Sequence, residues 1–331
     1  MVIITLLIVV GGGTIALRGW YNHNLSPAST IASQKYFSVE RGKTVHEIGI
    51  DLKTAGLIRS SGAFEYYVRT NALFNDLQAG TYVLSPTMSV PNIVKKIQKG
   101  EVARNLLTIL PGKRLDQIKE AFVQAGYTPG EVNSAFDISQ YSSHPLLAGL
   151  PAAATLEGFL YPDSFQKDSN TSAQVIIRES LDEMQRHLSL DVLTGFAAQN
   201  LNLYQAITLA SIVLQETYDP AYQPTVAQVF LLRMKQNTRL ESNVTANFAA
   251  DSLGRPRDVR IDSSYNTYLH AGLPPGPIGN VTASAIKAVA HPDTTDYLFF
   301  VAGDDEKIHF SHTKAEHDDS VAKYCTKKCA Q

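Results

Sequence analysis

The sequence predicts an α+β protein with an apolar N-terminal helix, a small α/β module and a larger mixed α+β domain. Three observations carry this reading. The opening run "MVIITLLIVVGGGTIAL" (Met1–Leu17) contains no charged side chain. A strand–turn–helix rhythm recurs between Phe37 and Thr128. Beyond about residue 150, apolar helical runs alternate with Gly/Pro-stiffened loops and one short hairpin.

The chain has 331 residues, 44% of them hydrophobic and 18% charged, which leaves room for two or three domains. A net charge of −2 provides no basic field that would draw the protein to nucleic acid. The two cysteines, Cys325 and Cys329, stand at the end of the chain and cannot frame the fold. The tail that bears them reads as frayed, with local pairing in an oxidising compartment as the alternative.

Taken in order, the uncharged run followed by Arg18, Trp20 and Tyr21 reads as an uncleaved membrane anchor over residues 1–20. No good cleavage site follows it closely, which favours an anchor over a cleaved signal peptide; with either, the remainder is expected on the exported side. Residues 21–35 are polar and carry Ser and Pro, the composition of a linker. "FSVERGKTVHEIGIDLKTAGLI" (Phe37–Ile58) is echoed by "LTILPGKRLDQIKEAFVQAGYT" (Leu107–Thr128). Each is a short strand, a Gly-Lys turn, an amphipathic helix and a terminal Gly. "GTYVLSPTMSVPNIVKKIQKGE" (Gly80–Glu101) repeats the rhythm, with Ser89 as N-cap, Pro91 early in the helix and Gly100 at its end. Three such units make a small α/β module without a His/Asp/Glu cluster in its turns. The pattern looks like the LysM-type fold, and the LysM-like module is assigned to residues 36–104.

Residues 105–331 form the second domain. "LEGFLYPDSF" (Leu156–Phe165) reads as a loop or short strand around a buried-looking Glu157, and a helix follows near Ala173–Leu188. "ITLASIVLQETYDP" (Ile207–Pro220) is the most apolar helix, and it closes on an acid. At 3.6 residues per turn Leu209, Ile212, Val213 and Glu216 share one face, and Thr208, Ser211 and Gln215 the other. Burial and the negative end of the helix both disfavour a charged Glu216, and a carboxyl kept protonated near neutrality is a general acid. From the helix alone, Glu216 could equally cap a neighbouring element or reach solvent. A helix spans roughly Thr225–Lys235, and "RLESNVT" (Arg239–Thr245) is a polar turn. "RIDSSYNTYLHAGLPPGPIGN" (Arg260–Asn280) is a Pro-stiffened loop whose Tyr, Asn and Thr side chains suit sugar hydroxyls and pyranose faces. Its alternative reading is a structural Ω-loop. A helix at Thr282–Pro292, a hairpin around "GDDE" and a closing helix at Lys314–Tyr324 complete the chain. His309, His312 and His317 lack a one-face metal pair, so no metal site is expected.

Together these stretches resemble the endolytic murein transglycosylase family (YceG-like, MltG-type). "AGTYVLSPTMSVPNIVKKIQKGE", "LEGFLYPDSF", "LASIVLQET", the Arg260–Asn280 loop and "DYLFFVAGDDEKIHFSHTKAEHD" occur in the family's order and cover most of the chain beyond residue 36. The resemblance implies an inner-membrane anchor, a periplasmic LysM-like region and a catalytic domain that cuts peptidoglycan strands. Glu216 takes the position of the family's catalytic glutamate. Family members commonly carry another Glu two residues earlier, where this chain has Leu214. After Ser242 the family usually has Asp-Pro, and here Asn243 and Val244 stand instead. Glu157, Glu241, Ser242, Asn243, Tyr265, Asn266, Thr267 and Asn280 are the expected substrate-binding residues. The implied chemistry is non-hydrolytic: Glu216 protonates the MurNAc–GlcNAc oxygen and later deprotonates the MurNAc 6-hydroxyl, closing a 1,6-anhydro ring. No cofactor is implied. The implied partners are glycan strands and peptidoglycan synthases of the same membrane. Two other readings stand beside this one. One is a muramidase-type hydrolase pairing Glu216 with Glu241, Glu157 or Asp262, and the other is a glycan-binding scaffold without catalysis.

Overall fold

Two five-residue strands, β1 (Lys35–Val39) and β2 (Gly80–Leu84), pair antiparallel and organise the N-terminal part of the chain, with Phe37 opposite Tyr82. The computed structural model describes residues 17–30, 35–102, 105–168, 170–327 and 329. The chain divides into two compact units between Leu106 and Leu107. The expected anchor at residues 1–20 lies largely outside the described residues. Residues 17–25 are helical, and no helix among the described residues is long and apolar enough to cross a membrane.

In the first unit α1 (Val45–Thr54) and α2 (Ser61–Thr70) follow β1, and α3 (Val90–Gln98) follows β2. Thr44 starts α1 with a capping box. Its hydroxyl accepts the Glu47 N–H, and the Glu47 carboxylate accepts the Thr44 N–H. Val90, Ile93, Val94 and Ile97 recur at helical spacing on α3, and all are buried. They close over Phe37, Leu52, Phe64, Val68, Tyr82 and Leu84. The sequence reading had no helix at α2. There the Tyr66-Tyr67-Val68 run favours strand locally, but Ala63, Phe64 and Val68 bury one helical face. The stretch expected as a linker is held down. Arg59 Nε donates to the Pro27 carbonyl at 2.9 Å, and the Ser29 N–H donates to the Pro86 carbonyl at 3.1 Å.

In the second unit β3 (Leu106–Thr108) pairs with β4 (Ser164–Gln166). The strand–turn–helix echo at Leu107–Thr128 therefore belongs to this unit and not to the module built on β1 and β2. The helices are α4 (Leu115–Gln124), α5 (Pro129–Ala135), α6 (Ala173–His187), α7 (Leu190–Ala198), α8 (Leu203–Glu216), α9 (Gln223–Lys235), α10 (Asn243–Ser252) and α11 (Ala283–Ala290). The hairpin of β5 (Phe299–Ala302) and β6 (Ile308–Ser311) sets Phe300 opposite Phe310, and α12 (Lys314–Tyr324) lies against both strands.

The acid-ended helix α8 is central. Every residue from Ala206 to Leu214 is buried, Thr208 and Ser211 included. This corrects the two-faced reading of that helix: α8 is covered on all sides. The Thr208 hydroxyl donates to the Tyr204 carbonyl and the Ser211 hydroxyl to the Thr208 carbonyl, so polar residues lie buried without orphaned groups. The α11 helix packs against α7, α8 and α9. At its crossing with α7, a Cβ on Gly195 would run into Ala290. The sequence reading also missed α7 and α10. The Asn-Val-Thr start of α10 reads as turn, yet Ala246, Ala249 and Ala250 bury one helical face. The described part of the C-terminal tail is held in place. Cys325 is buried and disulfide-bonded to Cys329, and the Asp304 carboxylate accepts the backbone N–H groups of Thr326 and Lys327.

One close approach ties the Leu156–Phe165 segment to the Pro-rich loop. Gly158 has φ +85°, and a Cβ there would collide with Pro277. Gly158→Ala is expected to cost about 2–4 kcal/mol through left-handed strain plus overpacking. Its urea midpoint checks this, with far-UV circular dichroism retained below the transition.

Candidate active site

Helix α8 delivers Glu216 as its last residue into a cleft of about 460 Å³. The α8 end, the 239–242 turn and Asn243 supply one side. The other comes from β5, Lys314 and His317 of α12, and the Cys325–Cys329 disulfide. Glu216 is half-buried, and burial pushes its carboxyl above the usual carboxylate range. A bond from Ser242 and the positive charge of Arg233 act in the opposite direction.

The Ser242 hydroxyl donates to Glu216 Oε1 at 2.5 Å. Ser242 is the N-cap residue of α10, yet its hydroxyl makes no capping bond. A group that would ordinarily satisfy the helix start is directed at the acid instead. A network of hydroxyls holds it there. The Ser242 N–H donates to Thr267 Oγ1 at 3.1 Å, and the Glu241 N–H to the Thr267 carbonyl at 3.2 Å. Thr245 and Thr267 share a hydroxyl–hydroxyl bond of 2.8 Å, and Thr245 Oγ1 donates to the Ser242 carbonyl at 2.7 Å. Glu241 adopts a left-handed backbone, with φ 51°, a conformation that costs a non-glycine residue energy.

Arg233 secures the same turn from α9. Its Nη1 donates to the Leu240 carbonyl at 2.8 Å and reaches Glu241 Oε2 at 3.4 Å. Its Nε donates to the Leu298 carbonyl at 2.7 Å, and the guanidinium lies 4.8 Å from the Phe299 ring centre. Tyr268 lines the cleft, and its hydroxyl donates to Asn243 Oδ1 at 2.7 Å.

Of the residues expected to bind substrate, Glu241, Ser242 and Asn243 come together with Glu216 in the cleft. Three others are buried and committed to the scaffold. Asn266 donates to the carbonyls of Val259 and Ile261, and its Oδ1 accepts the Tyr268 N–H. Thr267 belongs to the hydroxyl network. Asn280 accepts the Lys113 N–H and donates to the Leu110 carbonyl. All three are buried, and their hydrogen bonds are made within the scaffold. Tyr265 packs on Phe248 in a tilted pair with ring centres 4.8 Å apart, and burial raises its hydroxyl to about 12. Glu157 is also outside the cleft. Its Oε2 accepts the Leu115 N–H at the start of α4 at 2.9 Å, and its Oε1 is buried without a hydrogen-bond partner. Burial raises this carboxyl to about 7, with the Leu115 bond opposing.

The model of the YceG-like family matches residues 37–323, a span that includes α8, the 239–242 turn and the YNTY loop. The chain belongs to the YceG-like family. A relative named endolytic murein transglycosylase from Streptococcus pneumoniae (strain ATCC BAA-255 / R6) is 31% identical over 89% of this chain and 60% of that protein. The Bacillus subtilis (strain 168) protein of the same name is 29% identical over 88% of this chain and 85% of its own length. The chain thus spans less than two thirds of the pneumococcal relative's length. A crystal structure of a yceG-like protein from Listeria monocytogenes superposes with a TM-score of 0.57 at 29% identity, over 87% of this chain and 99% of that one.

In this YceG-like chain the sequence reading left Arg233 and Tyr268 out of the site. Arg233 sits in the last turn of α9, where a basic side chain already has an ordinary helix-end explanation. Tyr268 had a signal, because it closes the Tyr-Asn-Thr-Tyr run. Arg233→Met is expected to destabilise the fold by about 2–4 kcal/mol in chemical denaturation, since the Leu240 and Leu298 carbonyls lose their donor. Glu157 generates a pH-dependent prediction. Its folded pKa of about 7 lies above the ordinary glutamate value of 4.5, so the native state holds the proton more tightly. Its contribution to stability is full below about pH 4.5 and is lost as pH rises through 7. Stability should therefore fall between pH 5 and 8 by on the order of 1–3 kcal/mol more in the wild type than in Glu157→Gln.

Proposed function

We propose that this chain is a membrane-anchored endolytic lytic transglycosylase that cuts the MurNAc–GlcNAc β-1,4 bond of peptidoglycan and leaves 1,6-anhydroMurNAc ends. The observation that carries this reading is Glu216 itself: a half-buried carboxyl at the end of a buried helix, open to a cleft and bonded by Ser242. Its raised pKa favours the protonated form that the first step needs. With Oε1 engaged by Ser242, Oε2 carries the proton to the glycosidic oxygen. An oxocarbenium-like state follows, assisted by the sugar's own N-acetyl group. The Glu216 carboxylate then takes the proton of the MurNAc 6-hydroxyl as that oxygen attacks C1. The same carboxyl ends the cycle protonated, and no water is consumed. Arg233 and Ser242 support the charge that Glu216 bears between the two steps.

The uncharged run at the start of the chain supports a single-pass inner-membrane anchor with the enzyme domain periplasmic. Two helices enclosed by the β1–β2 pair support a LysM-like, glycan-holding role for the first unit. Termination of nascent strands beside peptidoglycan synthases is the proposed setting. One observation favours a second reading: Glu241 lines the same cleft as Glu216, as a hydrolase with two carboxylates would require.

Mass spectrometry of digested strands separates the two. Anhydro ends are expected, and reducing ends would replace the first reading by the second. Glu216→Gln should lose about 10²–10⁴-fold in kcat, the span of general acid–base catalysis. Full activity in that variant would remove Glu216 from the mechanism. Ser242→Ala removes a bond that lowers the Glu216 pKa. The alkaline limb of its pH–rate profile should move to higher pH while the maximal rate falls.

A further inference from the structure

A second cavity, of about 320 Å³, lies next to the Glu216 cleft. Adjacent residues divide the two: Glu216 and Asn243 face the first, and Gln215 and Val244 face the second. The second cavity carries three cations, Lys113, Arg114 and Arg257, against one acid, Asp251. Two of the cations are committed. Arg257 binds Asp251 through Nε and Nη2 at 3.1 and 2.9 Å, and Arg114 Nη1 reaches the same carboxylate at 2.7 Å. Arg114 also binds Asp116 through two further bonds. Lys113 has no ion-pair partner among the described residues.

The backbone of Lys113 is nevertheless fixed. Its N–H donates to Asn280 Oδ1 at 2.8 Å, and its carbonyl accepts the Asn280 N–H at 2.9 Å. The preceding Gly112 carbonyl accepts the Gln215 amide, one residue before the acid. A Cβ at Gly112 would strike the Tyr218 hydroxyl, so only glycine lets the turn sit this close to the end of α8. A free ammonium is thus held on a rigid turn at a set offset from Glu216, in a cavity with excess positive charge.

We propose that Lys113, with Arg114 and Arg257 behind it, forms an anion subsite for a carboxylate of the peptide stem borne by the glycan strand. This rests on the reading of Glu216 as the acid that cuts that strand. Stems branch from the muramyl lactyl group, so a strand threaded past Glu216 carries carboxylates at regular intervals on both sides of the scissile bond. A carboxylate here would meet an unpaired cation whose backbone is already fixed, so only the Lys113 side chain remains to be ordered.

The test is equilibrium binding in a Glu216→Gln background, so that strands survive the measurement. Strands bearing stems and strands stripped by an amidase are compared by fluorescence anisotropy. Stem-bearing strands should bind about fivefold more tightly, the scale of one partly exposed charge pair. Lys113→Gln should collapse this preference to near one, and Lys113→Arg should retain most of it. Free stem peptide should compete at concentrations where inorganic phosphate does not. A preference that survives Lys113→Gln, or one absent from the parent protein, overturns the subsite. Competition by phosphate alone also overturns it, in favour of a phosphate-bearing polymer. Failure of the catalytic reading would appear separately, as wild-type protein that binds strands and leaves them uncut.

Discussion

Everything at the cleft depends on keeping one carboxyl half out of water at the end of a helix that is wholly inside. A helix exposed on one side would let Glu216 rotate into solvent and relax to an ordinary carboxylate. Helix α8 denies it that freedom, because every residue from Ala206 to Leu214 is buried. Once the helix is enclosed, its terminal residue can only emerge where the packing stops. The packing stops at the cleft. The pKa, the reach and the orientation of Glu216 all follow from where α8 ends.

The surrounding loops are best understood as the means of holding that end. The YNTY segment carries Thr267, which fixes the backbone of Glu241 and Ser242. The GLPPGPIGN segment returns to the same helix through the Ile278 N–H, which donates to Ser211 Oγ at 3.0 Å. Asn280 then pins the Pro-Gly-Lys turn. Asn266, Thr267 and Asn280 in this region are buried, and their side chains bond to backbone or to neighbouring hydroxyls. They mark a scaffold assembled from loops, where side chains must supply the hydrogen bonds that regular elements supply internally.

This explains what could and could not be read from the sequence. Amphipathic helices such as α3 were legible because their apolar spacing is local. So were the hairpin of β5 and β6 and the closing helix, whose turn and cap residues stand in the sequence. Glu216 was legible because an acid ending an apolar run is locally anomalous. Helix α8 was misjudged for the converse reason, since Thr208 and Ser211 look like a polar face until a neighbouring loop is known to cover them. Asn266, Thr267 and Asn280 have the chemistry of a sugar site, and only tertiary burial reveals that their hydrogen bonds are already used. Arg233 offered no anomaly at all. Its role exists only because Leu240, Leu298 and Phe299 converge on it from distant parts of the chain.

The uncapped start of α10 has a consequence of its own. Helix α8 ends, and α10 begins, on either side of a single hydroxyl, so the electronegative end of one helix meets the electropositive end of the other at Ser242. While Glu216 holds its proton, the junction is nearly neutral and the α8 end resists ionisation. An ionised Glu216 would meet the opening turn of α10 across the Ser242 hydroxyl, and that helix end favours negative charge. Two opposed fields therefore act on one carboxyl: the end of α8 resists its ionisation, and the start of α10 favours it.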